Sequence, residues 1–179
     1  MDVIQSLIER NGSFAKTGFN AALKIMPTKK TMILGCVDPR VDPVEIFNLT
    51  QGEAAVIRNV GGRIDALAIQ TLELLQSVVE ARGGVFGPGW NLIVLHHTDC
   101  GIVNCLSRSP DRLAKQMGVA TAALDSLAIS NPHDAVALDV AALKASPDLP
   151  GALVVTGMVY DVATGVVQTV VPPAPVRAS

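Results

Sequence analysis

Thr31-Met32-Ile33-Leu34-Gly35-Cys36 is a short, almost wholly apolar run that stops on a thiol, and Asp38, Pro39 and Pro43 break the chain directly after it. A run of this length without polar alternation is the pattern of a strand buried on both faces, as in a parallel sheet. Forward of it, Val44 to Leu49 reads as a short helix ended by Gln51-Gly52, and Ala54 to Arg58 as a second strand. Trp90 to His97, with Leu92-Ile93-Val94-Leu95 at its centre, is a third. Between the second and third, Ile64, Leu67, Ala68, Thr71, Leu72, Leu75 and Val79 recur at helical intervals, which predicts the longest helix over Arg63 to Arg82. Leu153 to Tyr160 and Val166 to Val171 read as two strands, and the segment Asp161 to Gly165 between them suits an antiparallel hairpin with Gly165 left-handed. Strands separated by helices predict an α/β fold. It has a mostly parallel central sheet with helices on both faces and an antiparallel C-terminal edge strand.

Toward the ends the pattern is helical and then irregular. Residues 2–10 carry apolar positions at helical spacing, Asn11-Gly12 reads as a stop, and a second helix is predicted over Phe14 to Leu23, so that residues 1–25 form a helical arm. Residues 110–145 are Ala-rich with two helical patterns broken near Asn131-Pro132, and the Pro-rich tail 172–179 is expected to be loosely held. A chain of 179 residues fits one domain spanning 1–179, long enough to bury a single α/β core.

Composition removes several function classes. With a formal net charge of −2, 17% charged residues and no Lys/Arg run, the chain lacks the footprint of a nucleic-acid or anionic-membrane binder. Aromatic residues make up only 3%, so base-stacking platforms are also excluded and the core must be built from Ala, Val, Leu and Ile. The amino terminus lacks a basic segment followed by an apolar one, and no apolar stretch approaches the roughly 18 residues of a membrane span. A cytoplasmic protein is expected. Three cysteines without framework spacing favour reduced thiols over a disulfide scaffold.

In open α/β sheets, ligands bind outside the carboxyl ends of strands. Cys36 ends the first strand, His97 ends the third, and Cys100 follows in the turn Thr98-Asp99-Cys100-Gly101, so the reactive side chains gather at one edge. Zinc prefers thiolate and imidazole donors, and a catalytic site typically supplies three and keeps a fourth position for water. Cys36, His97 and Cys100 make such a set, with one Zn2+ expected per chain. Either fragment alone says little, because a buried cysteine is often only a small hydrophobe. Cys36-Val37-Asp38-Pro39-Arg40 adds to it: Arg40 can grip Asp38 in two places and keep it ionised, and Asp38 can then orient the water that the metal activates.

The two motifs, Cys36-Val37-Asp38-Pro39-Arg40 and His97-Thr98-Asp99-Cys100-Gly101, resemble the paired motifs of the β-class carbonic anhydrases. The resemblance is strong over roughly residues 30 to 105, Arg58-Asn59-Val60-Gly61-Gly62 included, and looser over Gly157 to Gly165. It implies a zinc lyase that hydrates carbon dioxide to bicarbonate, with metal ligands Cys36, His97 and Cys100 and the catalytic pair Asp38 and Arg40. Gly61 and Gly62 match the loop that lets backbone approach the substrate pocket. A homodimer or higher homo-oligomer is implied, its amino-terminal helix embracing the neighbouring subunit. The same family includes hydrolases of carbonyl sulfide and carbon disulfide that keep these ligands, so those substrates stand as the alternative. A zinc-stapled dimer that binds a partner without turnover is a further one, although a closed structural site calls for four protein ligands.

Of the remaining residues, Cys105 is expected to pack, and His96 must point to the strand face opposite His97 as a satisfied core histidine. His96 and His133 are the candidates for a proton relay, and Asp99 for a helix cap or turn brace.

Overall fold

The structure is a computed structural model and describes residues 2–177. Its element order is α1 (Val3–Thr17), β1 (Thr31–Cys36), α2 (Pro43–Ile46), β2 (Ala54–Asn59), α3 (Ala66–Glu80), β3 (Asn91–His97), α4 (Ile102–Arg108), α5 (Pro110–Met117), α6 (Pro132–Ala145), β4 (Val154–Tyr160) and β5 (Val167–Pro175). The five strands form one sheet in the order β2-β1-β3-β4-β5, with β5 antiparallel to β4 and every other pair parallel. This is the predicted α/β architecture, and Gly165 is left-handed in the hairpin with φ 74°.

One face of the sheet holds the main core. Met32 and Leu34 of β1, Leu92 and Val94 of β3 and Val155 and Val159 of β4 share that face by register. They pack with Leu72 and Val79 of α3 and Val136, Val140 and Leu143 of α6 in a single buried cluster. The other face is covered near β1 by the short α2, whose Pro43 lies beside Gly35. Asp65 starts α3 by accepting from the Ala68 amide at 2.8 Å, and Asn131 starts α6 by accepting from His133 and Asp134. Such caps satisfy first-turn donors that have no partner inside the helix.

Three local expectations give way. Asn11-Gly12 does not stop the first helix: α1 runs through to Thr17, because a glycine inside an exposed helix costs only about 1 kcal/mol and clashes with nothing here. No second helix forms over Phe14 to Leu23, and residues 18–30 are turns. Past Pro172 the chain remains strand as far as Pro175, since a proline can sit on an edge strand whose N–H positions face outward; Ala178 and Ser179 lie outside the described residues. Helix α4, which no sequence pattern announced, follows directly on the turn that carries Cys100.

Leu72 is fully buried where α3 meets the sheet. Leu72→Ala is expected to lower unfolding free energy by about 2–5 kcal/mol, read from urea denaturation at fixed protein concentration.

Candidate metal centre

Strand ends and one turn assemble the site. The Cys36, His97 and Cys100 donor atoms all lie within 4.8 Å of one another, and the two sulfurs are 3.8 Å apart. His97 Nδ1 donates to the Thr98 carbonyl at 2.8 Å, which leaves Nε2 with its lone pair free. That Nε2 is buried and has no hydrogen-bond partner. A buried nitrogen without a partner is costly, so one aimed at two sulfurs fits a soft or borderline cation that completes it. Zinc therefore suits the donor set.

The charges agree. A hydrogen bond from Cys100 holds the Cys36 thiol down to about 4, against the opposing effect of burial and with help from His97 and the backbone amides. Cys100 is pushed up, first by that same bond and then by burial. The two sulfurs are close enough to share a proton between them. A divalent cation in its place favours two thiolates, which is why metal binding at such sites releases protons. His97 is raised despite its burial, because the Cys36 sulfur faces it.

Asp38 and Arg40 form the expected pair. Arg40 Nε donates to Asp38 Oδ1 at 3.0 Å and Nη2 to Oδ2 at 2.7 Å, a two-pronged grip. These bonds, strengthened by the Arg40 backbone amide and charge, hold Asp38 down to about 2. The sign follows: the pair is intact above the ordinary carboxylate range and is lost only as pH falls through about 2, so Asp38 stays ionised at any pH near neutral. Its charge is felt at both His97 and Cys100.

Sequence reasoning missed part of the frame. Asp99 does not cap α4; with φ 53° it turns outward and accepts from Arg40 Nη1 at 2.8 Å, while its carbonyl accepts from Nη2 at 2.9 Å. Arg58 holds the Cys36 and Asp38 carbonyls at 2.8 and 2.7 Å and the Asp42 carboxylate at 2.9 Å. Two signals pointed to it: the Arg58-Asn59-Val60-Gly61-Gly62 stretch, and a place one residue before the end of β2, level with Gly35.

The two glycines part company. Gly61 donates its amide to Cys36 Sγ at 3.3 Å and lines a cavity of about 260 Å³ together with Arg63, His96, His97, Cys100 and Ile102. A Cβ on it would collide with Ile102. Gly62 lies instead against the backbone, where a Cβ would sit 3.0 Å from Cys36 N, and both residues hold positive φ. His96 is buried on the opposite face as expected, His133 bonds Gln168 away from this cavity, and Cys105 packs in a second apolar cluster.

A cluster of two thiols and an imidazole at parallel strand ends, with a carboxylate locked by arginine beside it, is the arrangement of the β-class carbonic anhydrases. The family model described as carbonic anhydrase matches residues 31–138, and the chain belongs to that family, in its β class. It is 29% identical over 175 residues to β-carbonic anhydrase 1 of Mycobacterium tuberculosis, covering 96% of this chain and all of that one. Among solved structures, a carbonic anhydrase of Streptococcus mutans matches with TM-score 0.74 at 28% identity, covering 95% of this chain and 98% of that one. A carbonic anhydrase of Glaciozyma antarctica matches with TM-score 0.72 at 32% identity, covering 95% and 99%. A carbon disulfide hydrolase in its apo form shares the fold, with TM-score 0.60 at 23% identity over 92% of this chain and 88% of that one.

Metal analysis of the purified protein is expected to give about one zinc per chain. Cys36→Ser, His97→Ala and Cys100→Ser are each expected to lose most of it. Full occupancy in all three variants would remove these residues as ligands.

Proposed function

We propose that this chain is a zinc-dependent carbonate dehydratase that converts carbon dioxide and water to bicarbonate and a proton. One observation carries the reading: the partnerless His97 Nε2 stands beside two sulfurs, next to a carboxylate already locked by Arg40. Cys36, His97 and Cys100 would hold the zinc. Bound there, zinc lowers the pKa of water and makes it a nucleophile for a carbon electrophile, less strongly with two thiolate ligands than the roughly pKa 7 of a three-histidine site.

The chain's own residues do the rest. Asp38 stays an acceptor throughout the working pH range, so it can take a hydrogen bond from the reacting water and fix its orientation. Arg40 keeps both Asp38 oxygens engaged, which removes the freedom of that carboxylate to turn and bind the metal itself. Gly61, having no side chain, leaves room for a small substrate, and Ile102 offers it an apolar wall. The cluster provides three side chains among the described residues, which supports an open site over a closed structural one.

The same reading makes the protein a homo-oligomer. Helix α1 has no buried residue, and Val3, Ile4, Leu7 and Ile8 are exposed on it, so the described residues leave the arm's apolar side chains uncovered. No helix among the described residues is long and apolar enough to cross a membrane. Thiolate ligands need reduced cysteines, which supports a cytoplasmic setting.

Stopped-flow hydration of carbon dioxide, run beside sulfide release from carbonyl sulfide or carbon disulfide, tests the substrate. Faster turnover of the sulfur compounds would move the assignment to the hydrolases. Asp38→Asn is expected to keep its zinc while losing about 10–10⁴-fold in turnover; parent-like rates would reduce the pair to a turn brace. Turnover is expected to rise from pH 7 toward alkaline values, in a series at fixed ionic strength with zinc measured at each point. Since Asp38 does not titrate in this range, a profile peaking on the acid side with zinc retained would rule out metal-activated water as the nucleophile.

A further inference from the structure

Asp139 lies on α6, is 3% exposed, and belongs neither to the ligand set nor to the Asp38–Arg40 pair. Four donors converge on its carboxylate. Arg63 Nε and Nη2 reach its two oxygens at 2.9 and 3.0 Å, the Ile64 amide donates to it at 3.1 Å, and His96 Nε2 donates to it at 3.1 Å. Arg63 is itself 2% exposed, and its Nη1 donates to the Leu127 carbonyl at 3.0 Å. Burying an ion pair this deeply carries a heavy desolvation cost, and apolar residues of similar volume often do as well for stability. Stability alone is therefore a poor account of the network.

Geometry is a better one, because each arm of the network ends at a metal ligand. Arg63 is clasped by Asn59: the Arg63 amide donates to Asn59 Oδ1 at 2.9 Å, and the Arg63 carbonyl accepts from Asn59 Nδ2 at 2.7 Å. That clasp closes residues 59–63 into a ring with Gly61 and Gly62 inside it. From the ring the Gly61 amide meets Cys36 Sγ at 3.3 Å. The second arm is His96. Successive strand residues point to opposite faces, so pinning His96 to α6 fixes the direction in which His97 leaves β3.

We propose that Asp139 is a positioning residue for the metal centre: through Arg63 and Ile64 it holds the Gly61 N–H on Cys36 Sγ, and through His96 it sets the pose of His97. The inference rests on the metal reading above. An N–H donated to a ligand sulfur draws charge from it, and hydrogen bonds of this kind tune metal sites as well as orienting their ligands. Removing the carboxylate releases both arms together, so the sulfur's donation and the imidazole's aim change in one step.

The experiment loads wild type and Asp139→Asn with zinc and follows release to an excess of chelator. A second measurement records the visible spectrum of the cobalt(II)-substituted proteins, whose thiolate-to-metal charge-transfer band reports on the sulfurs. Asp139→Asn is expected to release zinc about 10–100-fold faster and to shift that band. A variant that is less stable to urea yet releases zinc at the parental rate with an unchanged band would overturn the proposal and leave Asp139 a structural residue. Should Asp139→Asn not fold, Arg63→Lys keeps the charge but gives up the two-pronged grip, and faster zinc release with a shifted band is expected there too; parental behaviour in it overturns the proposal equally. A wild type that binds no zinc would fail the metal reading, and this inference with it. A wild type that binds zinc and hydrates carbon dioxide, beside a variant with parental release, fails this inference alone.

Discussion

Parallel pairing of β1 with β3, in a register that sets Gly35 opposite Leu95, brings both strands to an end at one level of the sheet. Cys36 is then one residue beyond that level and His97 two. A six-residue strand spans about 20 Å, so an antiparallel β1 would carry its thiol to the far side of the core and no cluster could form. Parallel pairing needs a crossover, and α3 supplies one between β2 and β3 while roofing the same sheet face. Both faces of β1 are consequently buried. The apolar sequence of that strand and the placement of its terminal thiol are thus two results of one topology.

Three guanidinium groups turn this coarse placement into a fixed site. Arg40 ties the segment after β1 to the turn after β3, since it holds Asp38 on one side and Asp99 on the other. Arg58 reaches across from the edge strand and holds two carbonyls of the segment that carries Cys36 and Asp38. Arg63 anchors the glycine ring to α6. Each task uses several N–H donors in a rigid plane, which a lysine cannot offer. Loops carry the chemistry here, and planar cations crosslink them where no secondary-structure ladder can.

How far the sequence disclosed this depends on the range of the interaction concerned. Strand β1 was legible over Thr31–Cys36 because an unbroken apolar run has few other uses, and Cys36, His97 and Cys100 were legible because strand ends and a tight turn are local features. The Asp38–Arg40 grip spans two residues and was equally readable. Arg40 to Asp99 and Arg63 to Asp139 span 59 and 76 residues, and nothing near any of the four announces its partner. The misread amino terminus has another cause. Helix α1 has no buried residue, so its apolar spacing reports no core, and a single internal glycine, at about 1 kcal/mol, does not suffice to end it. Helix α4 was hidden because its short length leaves too few turns for a period to show.

The charge balance of the site bears on the direction of the reaction proposed for it. Asp38 is matched by Arg40, Asp42 by Arg58, and Asp139 by Arg63, each within hydrogen-bonding distance. Two thiolates would match a divalent zinc in the same way, and Asp99 shares Arg40 with Asp38, so the charges beside the cluster lean negative rather than positive. A small neutral molecule such as carbon dioxide loses little solvation on entering such a place, and an apolar wall such as Ile102 suits it. Bicarbonate is different. As an anion it gives up strong hydration to remain, and among the described residues Arg40 and Arg63 beside the site already have carboxylates. On the proposed reading, a site without a spare positive charge would hold its product no better than its substrate, and the gain in rate would fall to groups, such as Asp38, placed to act on the water during reaction.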